Sequence, residues 1–250
     1  MAAWTVWRRN WDVFSKTYQV NFLPPFIEPV LYLLAMGYGL GMFVGDIDGV
    51  PYVEYIAPAL LAISIMNSAF FECTYSSFVR MYYQKTFDAI VATPLMIEDV
   101  ITGEILWGAT RSLIYASVML IVLIGFGVVD LPSSLLIIPF AFFAGLLFAS
   151  IAMCFTAVTP GIDTLNYPAF LFITPMFLFS GTFFPLSVLP PFLQTFAIAV
   201  LPLTQVVTVT RSLTLTSISP LFYYSLLWIA GVTLFFFILA IHLMKKRLVV

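Results

Sequence analysis

The sequence predicts an all-α integral membrane protein. It has six transmembrane helices, an N-terminal interfacial amphipathic helix, and a re-entrant helical hairpin between the fifth and sixth spans. Three observations carry this fold class. First, the 250 residues are 62% hydrophobic and only 9% charged, against about 45–50% apolar and roughly 25% charged in a soluble domain. The mean hydropathy of +1.07 makes lipid the solvent of the folded surface. Second, apolar stretches of the length a bilayer demands recur along the chain. Third, basic residues gather in alternate connections, as orientation in a membrane requires.

The same composition excludes several functions. A net charge of −2 leaves no basic face for nucleic acid. The single His242 removes most zinc-based and histidine-based catalytic schemes. Cys73 and Cys154 stand inside apolar runs without paired spacing and read as packing residues.

Residues 1–20 lack the pattern of a signal peptide, a short basic region followed directly by an apolar core. Instead Trp4, Trp7, Trp11, Phe14 and Tyr18 recur at helical spacings. At 100° per residue they fall within about 80° of one another, opposite Arg9, Asp12 and Lys16. Such a helix lies in the headgroup layer with its aromatics inward. The same stripe would also dock the helix on another protein.

Six stretches then qualify as spans: 22–44, 53–79, 105–127, 135–158, 167–184 and 221–243, each near the 20 or so apolar residues a helix needs to cross. The third carries Arg111, and the fifth carries Pro168 and Pro175. Arg8, Arg9 and Lys16 precede span one, Arg80 and Lys85 follow span two, and Lys245, Lys246 and Arg247 follow span six. The opposite connections, 45–52 and 128–134, hold Asp46, Asp48 and Asp130 but no basic residue. Both termini are therefore expected in the cytoplasm. Arg211 is the one basic residue left on the outer side. Gly37 and Gly41, with Gly45 beyond, give the small-residue spacing that lets helices approach closely.

The cytoplasmic segment 80–103 reads RMYYQKTFDAIVATPLMIEDVITG. Its first half has helical character. Thr93 and Pro94 then suit the cap and first position of a second helix, with Glu98 and Asp99 near its positive end. The segment is either a docking element or a solvated connector.

Three ionisable residues, Glu28, Glu72 and Arg111, fall inside spans at a similar depth. A charge at mid-bilayer costs about 2.5–3.5 kcal/mol on insertion scales, so each needs a partner or a water-lined site. A Glu72–Arg111 pair is expected, with Glu28 as competing partner. Such a pair either holds the bundle together or recognises a sugar or phosphate headgroup at the inner entrance. Glu104 is expected to tether span three to the cytoplasmic layer.

The stretch 180–194, SGTFFPLSVLPPFLQ, is apolar yet holds three prolines. Irregular backbone survives at membrane depth only where protein or water covers it. Gly181 gives freedom to turn, Pro185 disfavours helix before it, and Pro190 and Pro191 suit the start of a short helix that Pro202 ends. The expectation is a hairpin over 185–220 that dips in from outside. A seventh span over 192–209 would instead put the basic C-terminal end outside, against the charge pattern.

With these elements in place, the chain resembles the permease subunits of ABC-2 type exporters, and within them the branch that moves lipo-chitooligosaccharide nodulation factors. The N-terminal resemblance lies in Val6-Trp-Arg-Arg-Asn10, Gly39-Leu-Gly41 and Val44-Gly-Asp-Ile-Asp-Gly-Val50. It continues through Phe71-Glu72, Tyr75, Phe78-Val-Arg-Met81, Gln84, Thr86, Gly103-Glu104 and Trp107. The proline-rich region matches at Thr174-Pro-Met176, Phe179-Ser-Gly181, Phe184-Pro185, Leu189-Pro190 and Leu201-Pro-Leu203. The resemblance covers almost the whole chain, a single domain over 1–250.

That resemblance implies a homodimer, or a heterodimer of similar chains, in the inner (cell) membrane, bound to two copies of a cytoplasmic ATPase that holds ATP and magnesium. No cofactor, metal or catalytic residue is expected on this chain. None of its four lysines sits in a G-x-x-x-x-G-K-[ST] loop. The helix 82–92 then corresponds to a coupling helix, with Gln84, Phe87, Asp88 and Ile90 as ATPase contacts. The proline-rich region corresponds to a re-entrant outer gate, with its turn at Gly181, Phe184 and Pro185 and its lid from Pro190 and Pro191 to Pro202. Tyr167, Phe170, Thr174 and Phe177 on span five are candidate path-lining residues. The implied function is export of an amphiphilic glycolipid or lipo-oligosaccharide, with a hydrophobic drug or peptide as the alternative cargo. An ion-driven secondary transporter would show interrupted helices in both halves, and here only the second half is interrupted. An intramembrane enzyme would need a convergent nucleophile and base.

Overall fold

The computed structural model describes residues 2–17, 27, 30–47, 49–129, 131–215 and 219–248. Tyr18, Glu28, Asp48 and Asp130 lie outside the described residues. The chain is an all-α membrane protein, and its only strands among the described residues are a two-residue antiparallel pair, Asp46–Ile47 with Val50–Pro51.

Helix α1 (Ala2–Lys16) is followed by α2 (Val30–Val44), most of it in π register over Leu33–Leu40. The long α3 (Tyr52–Tyr83) is α-helical to Phe71 and then holds two π turns, Glu72–Ser76 and Val79–Tyr83. A short α4 (Thr86–Val91) leads to α5 (Ile97–Gly125), α6 (Ser133–Val158) and α7 (Ile162–Phe179). Then come α8 (Pro191–Val200) and α9 (Pro202–Thr214), bent by 86° at Leu201, and finally α10 (Phe222–Leu248). By length and composition α3, α5, α6, α7 and α10 can each cross a bilayer, and the bent pair would make a sixth if taken as one span. The expected first span, 22–44, is described only from Val30 on, apart from Ile27.

Helices α3, α5 and α6 form the centre, with α1 laid on α5, α9 on α3, and α10 on α6. Burial follows that order: 83% of the apolar window of α3 is buried, but only 17% of that of α7 and 11% of that of α10. Close approach at the centre needs small residues. A Cβ on Gly108 would lie 2.6 Å from Cys73 Sγ, and one on Gly145 would lie 2.7 Å from Ser112 Cβ. Gly37 packs against Val53 in the same way.

The segment 80–103 differs from expectation. A single helix over 82–92 does not form, because the chain leaves the helix at Gln84 and Lys85 takes a left-handed φ of 53° before α4 restarts at Thr86. Thr93 does not cap the next helix: its hydroxyl turns back to the Ile90 carbonyl at 2.5 Å and closes α4. Helix α5 begins later, at Ile97, where the Asp99 carboxylate accepts the Met96 N–H at 3.2 Å. Glu98 and Asp99 do occupy its positive end. Lys245 at the end of α10 reaches Glu98 at 2.6 Å.

Candidate functional site

The two π turns of α3 create the central feature. Residues eight apart are well out of line in a plain α-helix. One inserted residue gives them the phase that seven would have, nearly one above the other. Glu72 and Arg80 are so placed. The Arg80 guanidinium donates to Glu72 Oε1 at 2.9 Å through Nη1, and to Glu104 Oε2 of α5 at 2.5 and 2.9 Å through Nη2 and Nε. Ser77 Oγ donates to the same Glu104 oxygen at 2.6 Å, and Asn10 Nδ2 of α1 donates to Glu104 Oε1 at 2.9 Å. Trp107 Nε1 completes Glu72 Oε1 at 2.9 Å. Glu104 is fully buried, and Glu72 nearly so.

Arg111 stands 3.6 Å from Glu72 Oε2, bonds the Tyr115 hydroxyl at 2.9 Å, and lies over the rings of Phe14 and Tyr115. The expected Glu72–Arg111 pair therefore exists as the weaker half of a larger cluster. Arg80 is the nearer partner of Glu72. Spacing rules for an α-helix hide this, and by sequence Arg80 lies beyond the end of the span. Glu104 does tether α5, by holding α1 and the end of α3 together.

Two cavities flank the cluster and share Glu72, Tyr75, Ser76 and Arg111 as common wall. The first, about 490 Å³, runs beside α3 from Leu60 to Ser76, roughly 24 Å at about 1.5 Å per residue. Towards Leu60 it is mainly apolar, with Leu60, Ile63, Met119 and Phe177; towards Ser76 it is polar, with Asn67, Tyr75 and the cluster. The Asn67 Oδ1 and Arg111 Nε atoms are buried without a hydrogen-bond partner. The second cavity, about 600 Å³, lies between α1, the end of α3 and the start of α4.

The other residues expected from the sequence fall as follows. On α1 the face against α5 is Val6, Asn10 and Phe14, seated over Gly103, where a Cβ would meet Val6 Cβ at 2.6 Å. Trp4, Trp7 and Trp11 stack along the flank, Trp7 Nε1 bonds Thr110 at 2.8 Å, and Trp4 and Trp11 remain exposed. Arg9 is half-buried, lines the second cavity and donates to Asn10 Oδ1 at 2.7 Å. On the segment 80–103 Gln84 and Asp88 are exposed, Ile90 is half-buried, and Phe87 is packed in the core at 1% exposure. Tyr167, Phe170 and Thr174 point outward from α7, and only Phe177 borders the first cavity.

At the proline-rich region Gly181 takes a φ of +70°, which a side chain would strain. Its carbonyl accepts from Arg211 Nη2 at 3.1 Å and the Tyr55 hydroxyl at 3.3 Å, and the Arg211 guanidinium lies 3.9 Å from the Tyr55 ring centroid. Pro185 and Pro190 are extended, Phe184 is half-buried, and Pro191 and Pro202 each open a helix. The Gln205 amide reaches the Ile198 carbonyl across the bend, while its oxygen accepts from Ser225 at 2.7 Å. These contacts satisfy backbone that hydrocarbon could not. In the sequence Arg211 stands as the one basic residue on the outer side.

Comparison with known proteins gives a consistent picture. The family of ABC-2 type transporters matches residues 1–215. Nodulation protein J of Sinorhizobium fredii is 39% identical over 76% of this chain and 72% of its own length. Nodulation protein J of Rhizobium meliloti is 36% identical over 85% and 80%. The inner membrane transport permease YadH of Escherichia coli is 25% identical over 76% and 74%.

Proposed function

The chain belongs to the ABC-2 type transporter family, as a multi-pass membrane permease, and from that premise we propose that it exports an amphiphilic glycolipid or lipo-oligosaccharide. The single observation that supports this cargo most directly is the first cavity. An apolar part and a polar, hydrogen-bonding part in one continuous space of about 490 Å³ suit a molecule with an acyl chain and a sugar headgroup. Glu72, Arg111, Asn67 and Tyr75 would meet the headgroup, and Leu60, Met119 and Phe177 the chain.

Energy comes from a separate cytoplasmic ATPase, two copies on a permease homodimer, with both termini of this chain on the cytoplasmic side. ATP and magnesium act there. The exposed Gln84 and Asp88 on α4 form the contact, and Phe87 and Ile90 carry the motion inward because they are packed against the core. Closure of the ATPase moves α4 as a rigid element, and α3 and α5 transmit it to the cavity. The turn at Gly181, with Phe184, Pro185, Pro190, Pro191 and Pro202, closes the outer end.

The test is reconstitution of the chain with its ATPase in inverted vesicles, with uptake of a fluorescent lipo-oligosaccharide as readout. Uptake should need both subunits and hydrolysable ATP, and native mass spectrometry should count two of each. Asp88→Arg should cut ATPase co-purification at least tenfold (one buried charge contact, about 1.4 kcal/mol or more) with an unchanged unfolding midpoint. Uptake without an ATPase, or no complex even with ATP trapped, would sink the reading.

A further inference from the structure

The second cavity carries a positive charge that no acid among the described residues neutralises. Arg9 lines it, with Arg80 and Arg111, and the acids near them are Glu72 in the wall and Glu104 behind it. Three guanidiniums against two carboxylates leave one positive charge over among the described residues. The surplus is local to Arg9: Arg80 and Arg111 both reach Glu72, and Arg80 also holds Glu104. Arg9 Nη2 has only the neutral Asn10 oxygen, and Arg9 Nη1 is buried with no acceptor. A buried donor left unmatched is costly, and native structures rarely keep one without a ligand or water to receive it. Burial also holds the Arg9 pKa below the ordinary guanidinium value.

The mouth of the cavity has a second character. Val13 lines it and is 58% exposed. A positive floor beside the exposed apolar Val13, on an amphipathic helix at the end of the bundle, fits a headgroup whose acyl chains run outward along the protein.

We infer that this cavity binds the phosphate of one acidic phospholipid from the cytoplasmic leaflet, with Arg9 as its principal donor. The occupant touches Gln84 and Thr86 at the entry to α4, so it braces the segment through which an ATPase would act. The inference is independent of the cargo.

The test uses the full chain in mild detergent, titrated with dioleoyl phosphatidylglycerol or dioleoyl phosphatidylcholine, with native mass spectrometry counting bound lipid. The wild-type chain should retain one phosphatidylglycerol per chain about tenfold more tightly than phosphatidylcholine, the size of one charge-assisted hydrogen bond. Arg9→Gln should level the two lipids, and Arg9→Lys should keep most of the preference. Equal retention of both lipids by the wild-type chain would overturn the inference, a comparison that stands even where a variant fails to fold. An unchanged preference in a folded Arg9→Gln chain would overturn it too. Millimolar inorganic phosphate displacing the lipid completely would overturn the lipid assignment in favour of a free anion.

Discussion

At the scale of single residues, the molecule is organised by one buried acid. Glu104 receives hydrogen bonds from Asn10, Ser77 and Arg80, so three elements meet on one carboxylate. Removing one partner of a buried ion pair leaves an uncompensated charge, at about 3–5 kcal/mol, whereas replacing both by apolar groups is often near neutral. Glu104→Leu should therefore lower stability by up to about that amount, and adding Arg80→Met should recover part of it, because Glu72 then keeps only Arg111 at 3.6 Å and Trp107. Unfolding midpoints of the purified chain in detergent check this; a double variant as unstable as the single one would mean that the cluster acts through geometry and not charge. Glu72 and Arg111 stand out in the sequence as ionisable groups in apolar runs, whereas Arg80 and Glu104 read as residues at the span ends. Which of them pair was hidden, because the π turns change the phase of α3.

Among the elements, α1 illustrates what periodicity can and cannot reveal. Its aromatic stripe is plain in the sequence, and it does form a helix with Trp4, Trp7, Trp11 and Phe14 on one side. The surface that meets α5, though, is Val6, Asn10 and Phe14, chosen because Gly103 opens a notch for Val6. A Cβ at Gly103 would sit 2.6 Å from Val6 Cβ and 2.8 Å from the Ala3 carbonyl oxygen, neither of which can yield without moving the helix. Gly103→Ala should thus lift α1 from the bundle. In an Ala3→Cys background, with Cys73 and Cys154 buried, maleimide labelling at residue 3 should rise several-fold on adding Gly103→Ala. Unchanged labelling would mean that α1 is held by its stacked tryptophans and not by the notch. The split of the segment 82–92 at Lys85 and the late start of α5 escaped sequence reading for a related reason. Turn geometry is set by which residues the bundle buries, here Phe87, and not by local propensity alone.

The whole molecule is asymmetric in burial. Helix α3 is enclosed, while α7 and α10 expose most of their apolar windows. On α7 the exposed strip includes Tyr167, Phe170, Leu171 and Thr174, a surface suited to lipid or to a second copy. If the proposed homodimer uses this face, Phe170→Cys should cross-link copies in native membranes under mild oxidation, and Leu234→Cys on the exposed face of α10 should not. Cross-linking at Leu234 alone would move the interface to α10.

The sequence by itself determined the solvent, the helical class, the rough place of the five long apolar helices, the amphipathic entry helix and the turn at Gly181. These follow from composition, length, periodicity and proline chemistry, all of which act locally. Only the tertiary structure decided that Arg80 is the inner partner of Glu72 and Glu104, that Arg211 caps the turn at Gly181, that Phe87 faces inward, and that two cavities meet at one ionic wall. The reason is physical. A charge in an apolar setting must find its counter-charge, but the counter-charge is selected by helix phase and by packing between residues far apart in the chain. Neither quantity is written in any short stretch of it.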